Sequence, residues 1–153
     1  MEKATFGAGC FWSIEEAFRT LKGVKATTVG YMGGKLENPS YEDVCTDTTG
    51  HVEVVQLEYD PKLIKYEKLL TIFWKIHNPT TPNRQGFDIG TQYRSVIFYH
   101  TDKQKEIAEK SKKQEQKKHT STIVTIIEPA REFWKAEDYH QKYLMKRGAK
   151  TCH

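Results

Sequence analysis

The chain has 153 residues, with 24 Lys and Arg against 20 Asp and Glu for a net charge of +4. That length fits one domain spanning 1–153, and 37 % hydrophobic with 12 % aromatic residues can fill a core without disulfides or a structural metal, which excludes a disordered or fibrous chain. The charge excess is mild and sits mainly between Lys103 and Lys118, interspersed with Glu106, Glu109 and Glu115, so it calls for no nucleic-acid partner. Apolar runs fall well short of the ~18 to 20 residues of a membrane span, and Met1-Glu2-Lys3 opens no signal peptide. A soluble, cytoplasmic protein is expected.

Hydrophobic periodicity switches between two and 3.6 along the chain, with no internal repeat. Ala4 to Phe6 reads as a short strand. Ser13-Ile14-Glu15-Glu16 has the form of a capping box, with Ile14, Ala17, Phe18 and Leu21 at helical spacing and Gly23 as the stop. A β-rich stretch from Ala26 to Tyr31 leads to Gly33-Gly34, and Asn38-Pro39-Ser40-Tyr41 signals a turn or loop. A long strand follows from His51 to Tyr59, broken by Asp60-Pro61. Leu69, Ile72, Phe73 and Ile76 mark one face of a second helix that must stop before Pro79 and Pro82. A loop then runs to Tyr93. Ser95 to Tyr99 is a strand, Thr101 to Gln104 a capping box, and the helix from Asp102 has so little apolar face beyond Ile107 and Ala108 that it belongs on the surface. Ile123 to Ile127 is a β-branched strand ended by Pro129, and Ala136 to Met145 a final helix. This order of elements defines an α+β fold, or an α/β sandwich.

Three cysteines, Cys10, Cys45 and Cys152, make no paired framework, so in a reducing compartment they read as free or catalytic thiols. Cys10 lies in Phe6-Gly7-Ala8-Gly9-Cys10-Phe11-Trp12, between a strand and a helix start. Backbone N–H groups and the positive end of the helix dipole favour an anion there, which lowers a thiol below its usual pKa of ~8.5. The alternative is a buried cysteine acting as a small hydrophobe. Phe11 and Trp12 are core aromatics or the walls of an apolar pocket beside the thiol.

Glu53 shares a strand face with Val55, Leu57 and Tyr59, so its carboxylate points toward the core, where desolvation raises its pKa and lets it hold a proton for donation. The alternative is a strand-end glutamate that stays solvated or pairs with Lys or Arg. Within Gln85 to Arg94, Asp88 and Tyr93 can orient a substrate, as can Tyr41, although Asp in a turn commonly bonds its own backbone and Tyr at a strand start commonly packs. The six histidines show no metal-ligand spacing with the cysteines, so no metal site is expected; His140 reads as structural and Cys45 as a buried spectator.

Taken in order, Gly9-Cys10-Phe11-Trp12, Tyr31-Met32-Gly33-Gly34, Asn38-Pro39-Ser40-Tyr41, Gly50-His51-Val52-Glu53, Gly86-Phe87-Asp88, Gly90-Thr91-Gln92-Tyr93-Arg94-Ser95 and Ala136 to Leu144 make the chain resemble the A-type peptide methionine sulfoxide reductases over nearly its whole length. That resemblance implies a two-layer α/β sandwich with a mixed central sheet, flanking helices, a ferredoxin-like core and a mobile C-terminal tail at 146–153. It implies Cys10 as nucleophile, Glu53 as acid, Tyr41, Tyr93 and Asp88 as polar partners of the sulfoxide, and Phe11 and Trp12 around its methyl group. It further implies S-epimer selectivity, no bound cofactor, thioredoxin or another dithiol as reductant, and a monomer.

Two departures stand out. Ser13 follows Trp12 where many members have glycine, and the chain stops one residue beyond Cys152 where many members carry a longer glycine-rich end with two cysteines. One resolving thiol, Cys152, is therefore the simpler assignment, with Cys45 as its rival. Outside the resemblance, Cys10 would also serve a hydrolase with a nearby basic His, or a thiol peroxidase, and the Lys-rich helix would serve a non-catalytic interaction module.

Overall fold

The computed structural model describes residues 1–147. Eight strands and five helices follow in chain order: β1 (Glu2–Ala8), α1 (Phe11–Arg19), β2 (Val24–Met32), α2 (Tyr41–Cys45), β3 (Val52–Tyr59), α3 (Tyr66–Lys75), β4 (Arg84–Gln85), β5 (Asp88–Ile89), β6 (Ser95–Tyr99), α4 (Asp102–Gln116), β7 (Ile126–Pro129), β8 (Trp134–Lys135) and α5 (Tyr143–Lys146). The main sheet has the order β7-β6-β1-β3-β2-β8, and β4 and β5 form a separate hairpin. All neighbours in the main sheet run antiparallel except β6 and β7, so the sheet is mixed. Within it, β1-α1-β2-β3-α3-β6 with β6-β1-β3-β2 side by side is the expected ferredoxin-like core.

Burial follows the periodicities. The inner strand β1 is buried from Ala4 to Ala8, as a strand covered on both faces must be. α1 buries Phe11, Ile14, Glu15 and Phe18, and α3 buries Tyr66, Leu69, Leu70, Phe73 and Trp74, each one stripe at helical spacing. These stripes close on the sheet around Phe6, whose ring lies 5.3 Å from those of Phe18 and Phe73. The opposite face holds Met32, Val52, Val54, Val96 and Phe98 under Ala130 and Phe133. Alternation along β3 therefore sends Val52 and Val54 to that face and Glu53, Val55 and Leu57 toward the helices.

Several boundaries differ from the sequence reading. α1 begins at Phe11 with Cys10 as its N-cap, so Ser13 lies inside the first turn and is not the N-cap. Ser40 does cap a helix, α2, through a reciprocal box with Asp43 where a loop was expected. At α4, Thr101 accepts from the Gln104 backbone N–H, while the Gln104 side chain reaches back to the N–H of His100. The ladder of β7 starts only at Ile126, because Ile123 and Val124 donate their N–H groups to the Gln116 side chain and the Pro79 carbonyl.

The continuous helix expected from Ala136 to Met145 is absent. In its place stand one 3₁₀ turn (Asp138–His140) and the short α5, separated by Lys142 at φ +53. Side chains compete with helix here: the Gln141 amide accepts from Val29 N–H and donates to the Val29 and Ala136 carbonyls, and Glu15 accepts the Lys142 N–H. The tail residues beyond Arg147, Cys152 among them, lie outside the described residues.

One partly buried relay carries a stability prediction. The Phe73 carbonyl can only accept, so His77 Nδ1–H donates to it at 2.7 Å, and Nε2 of the neutral ring accepts from Ser95 Oγ at 2.7 Å. Burial pushes the His77 pKa down from 6.5 to about 4, with the bond to Phe73 opposing. The unfolded chain therefore binds this proton first, so the contribution is complete above pH 6.5 and is lost as pH falls toward 4, by about 3 kcal/mol. Urea midpoints should fall over that window, and His77→Gln should flatten the difference; parallel profiles would remove the relay as the cause.

Candidate active site

The turn between β1 and α1 sets the centre of the site. Gly9 adopts φ +99, and a Cβ there would meet Gln85 Cβ at 3.0 Å, so both backbone and space select glycine. Cys10 then takes an extended conformation (φ −62, ψ 122) and makes no side-chain capping bond, which puts its thiol at the positive end of α1.

Glu53 arrives from β3, opposite Tyr31 on β2, and is only 1 % exposed. Its Oε1 accepts the Phe11 backbone N–H at 3.3 Å, which joins the carboxylate to the residue after the thiol across 42 positions of sequence. At that burial the solvated alternative for Glu53 does not occur.

Tyr41 opens α2 and Tyr93 closes the 3₁₀ turn before β6. Burial raises the pKa of Tyr41, and so do the Glu53 charge and the hydrogen bond to Cys45. Tyr93 is raised by burial and by the charges of Glu53, Asp88, Cys45 and Cys10. Both phenols thus remain protonated donors through neutral pH and lie within electrostatic reach of Glu53. Cys10, Trp12, Tyr41, Asp88 and Tyr93 are half-buried, whereas Phe11 and Glu53 are buried: an open mouth over a dry floor.

The aromatic floor is larger than the sequence reading held. The Phe11 ring lies 5.7 Å from Tyr31, 6.5 Å from Tyr41 and 5.2 Å from His140. Trp12 stacks on Tyr143 at 3.9 Å and donates its indole N–H to His140 Nδ1 at 2.9 Å. Because that indole only donates, the neutral His140 carries its proton on Nε2. Burial lowers the His140 pKa, with the Glu137 charge opposing, so this neutral form is favoured. His140 is therefore a bonded wall of the site, and it gives Cys10 no histidine base of the kind a hydrolase requires.

Glu137 ties the walls together, accepting from the Tyr31 hydroxyl and the Tyr41 N–H, each at 3.1 Å. Burial would raise its pKa, but these bonds prevail and hold it below the usual range. Tyr31, Glu137 and Tyr143 were missed as neighbours because their partners lie far away in sequence. Their only signal was their place inside motifs quoted for other residues. Cys45, read either as a buried spectator or as the rival resolving thiol, is exposed and hydrogen-bonded to Tyr41; desolvation raises its pKa and the Tyr41 bond opposes.

Among the described residues no group of three or more His, Cys, Asp or Glu could hold a metal ion, and no helix is long and apolar enough to cross a membrane. A thiol at a helix start, with a buried carboxyl and two protonated phenols near it, is a set of groups suited to enzymatic thiol chemistry. The chain belongs to the peptide methionine sulfoxide reductase family, which it matches over residues 2–153.

A peptide methionine sulfoxide reductase MsrA from Methanoculleus marisnigri is 59 % identical over 154 residues, covering 99 % of this chain and 94 % of that protein. Among solved structures, reduced Mxr1 from Saccharomyces cerevisiae superposes with a TM-score of 0.90 at 41 % identity, covering 96 % of this chain and 86 % of the other. Mxr1 in complex with Trx2 gives a TM-score of 0.65 at 32 % identity, covering 93 % and 84 %. The chain is accordingly an oxidoreductase that reduces methionine sulfoxide.

Proposed function

We propose that the Cys10 thiolate attacks the sulfur of the S epimer of methionine sulfoxide while Glu53 delivers a proton to the sulfoxide oxygen. Tyr41 and Tyr93 donate hydrogen bonds to that oxygen, Asp88 orients the polar end of the substrate, and Phe11 with Trp12 encloses the methyl group. Methionine leaves and the oxygen remains on Cys10 as sulfenic acid. A second thiol, Cys152, then condenses with it, forming the disulfide and releasing water, and a thioredoxin-like dithiol reduces that disulfide.

The observation that carries this reading is the bond from the Phe11 N–H to Glu53, which fixes a buried carboxyl beside the thiol. Helix α5 runs to Lys146, so from Arg147 five residue steps reach at most ~18 Å toward Cys152, and that span must bring Cys152 over the pocket. The protein acts as a single-domain cytoplasmic monomer without metal or organic cofactor.

Separated sulfoxide epimers test the reading. With dithiothreitol the S epimer alone should be consumed. Cys152→Ser should release one methionine per enzyme, accumulate sulfenic acid and fail with thioredoxin. Turnover of both epimers, or full thioredoxin-linked turnover by Cys152→Ser, would overturn it.

A further inference from the structure

The two phenols of the site stand on different elements, and a contact at the surface joins those elements. Tyr41 opens α2 and Tyr93 closes the 3₁₀ turn Thr91–Tyr93, so their separation depends on how the end of α2 meets that turn. Asp47 makes the meeting. Its carboxylate accepts the Thr91 N–H at 2.9 Å and also the Thr91 hydroxyl, across 44 positions of sequence. At the start of a helical turn that N–H has no partner within the turn, so Asp47 caps it from another element.

Asp47 is also where α2 ends. It follows the C-cap Thr46, its own N–H reaches back to the Val44 carbonyl at 3.1 Å, and it sits at φ +62. Glycine is the usual residue at a left-handed helix end, and aspartate adopts that conformation only at some cost. What aspartate adds there is a carboxylate held at a fixed place. A second strap lies alongside, since the Arg94 guanidinium donates to the carbonyls of Thr91 and Gly50, each at 3.0 Å. The segment from Asp47 to Gly50 joins α2, which carries Tyr41, to β3, which carries Glu53. The turn that carries Tyr93 is therefore tied near both ends of this connection. Burial is the largest cause of the raised pKa of both phenols, and Tyr93 adds to that of Tyr41 and Cys45 to that of Tyr93, so the two elements face each other across the site.

The Asp47 bonds are exposed, where a charged contact contributes little to global stability. Local geometry is what remains for them to set. One sulfoxide oxygen can accept from both phenols only if each hydroxyl reaches it at ~2.7 Å, and such groups must be held within ~0.5 Å of their productive places. We propose that Asp47 is a positioning residue for the two-phenol clamp on the sulfoxide oxygen, holding the Tyr93 turn against the end of α2 so that both hydroxyls reach one atom. The inference rests on the reading above that Tyr41 and Tyr93 donate to that oxygen. Asp47 itself touches no substrate and acts through Tyr93. Its loss leaves Cys10, Glu53 and the aromatic floor in place and lets the Tyr93 turn drift, so the cost falls on the chemical step rather than on binding.

A double-mutant cycle tests this. Asp47→Gly permits the same φ and removes the carboxylate, whereas Tyr93→Phe removes only the hydroxyl. Methionine release in a single turnover, followed over a range of peptide sulfoxide concentrations, separates rate from binding. Asp47→Gly should slow the step roughly three- to tenfold, with half-saturation within about twofold of wild type. In the Tyr93→Phe background the same substitution should change the rate by less than about twofold. Asp47→Asn keeps an oxygen for the Thr91 N–H and tolerates the left-handed conformation, so it should recover most of the rate. Thr91→Val, which loses only the hydroxyl half of the contact, should show a smaller loss that also vanishes without the Tyr93 hydroxyl. An undiminished rate in Asp47→Gly, or equal losses with and without the Tyr93 hydroxyl, would overturn the proposal. Tyr93→Phe as fast as wild type would instead overturn the two-phenol reading beneath it.

Discussion

Cys10→Ser should abolish sulfoxide reduction, by roughly 10³-fold or more even in excess dithiothreitol, and leave the far-UV spectrum unchanged. Serine is a preferred N-cap, whereas the Cys10 side chain makes no capping bond, so the substitution holds or strengthens the start of α1. Nothing else in the pocket changes shape, and Phe11, Trp12 and the Glu53 bond remain in place. A loss of activity would therefore report the chemistry of sulfur, which is strongly nucleophilic as thiolate where a serine hydroxyl lacking a histidine base is not. Methionine release in a single turnover reads the effect. Retention of even a tenth of the wild-type rate would remove Cys10 as nucleophile.

The sequence exposed those parts of the fold that depend on local order and concealed those that depend on distant partners. β6 matched its expected bounds, β3 fell within one residue of its own, and α3 contains the expected face from Leu69 to Phe73 and ends before Pro79, because alternation and helical spacing are written in adjacent residues. α1 was placed too late because Ser13-x-x-Glu16 satisfies a start signal, whereas cysteine at an N-cap carries none. α2 was missed because Asn38-Pro39 announces a turn and only five helical residues follow. The C-terminal helix failed for the same reason that the site works. Glu137, His140 and Gln141 bond Tyr31, Tyr41, Trp12 and Val29 more than 90 positions away, and those bonds displace the helical ones. Residues on a quoted motif were legible as candidates, but the geometry that joins them was not.

Glu53→Gln should slow the first chemical step by ~10²- to 10⁴-fold while leaving substrate binding nearly unchanged. The amide is close in size and keeps a carbonyl oxygen for the Phe11 N–H, so the 3.3 Å contact and the start of α1 survive. Its NH₂ still offers a hydrogen bond toward the sulfoxide oxygen, and Tyr41 and Tyr93 still donate theirs. What disappears is the transferable proton. The phenols cannot replace it, because burial, the largest cause of their raised pKa and the one this substitution leaves in place, holds both above the ordinary tyrosine range. The defect should therefore fall on the single-turnover rate and leave KM within a few-fold of wild type. Glu53→Ala supplies the contrast, since it also empties volume under Phe11 and unpairs the buried N–H, so it should weaken folding as well as rate. If Glu53→Gln reduced sulfoxide in single turnover as fast as wild type across neutral pH, the proton must come from elsewhere, and the buried carboxyl would serve only to pin Phe11 beside the thiol.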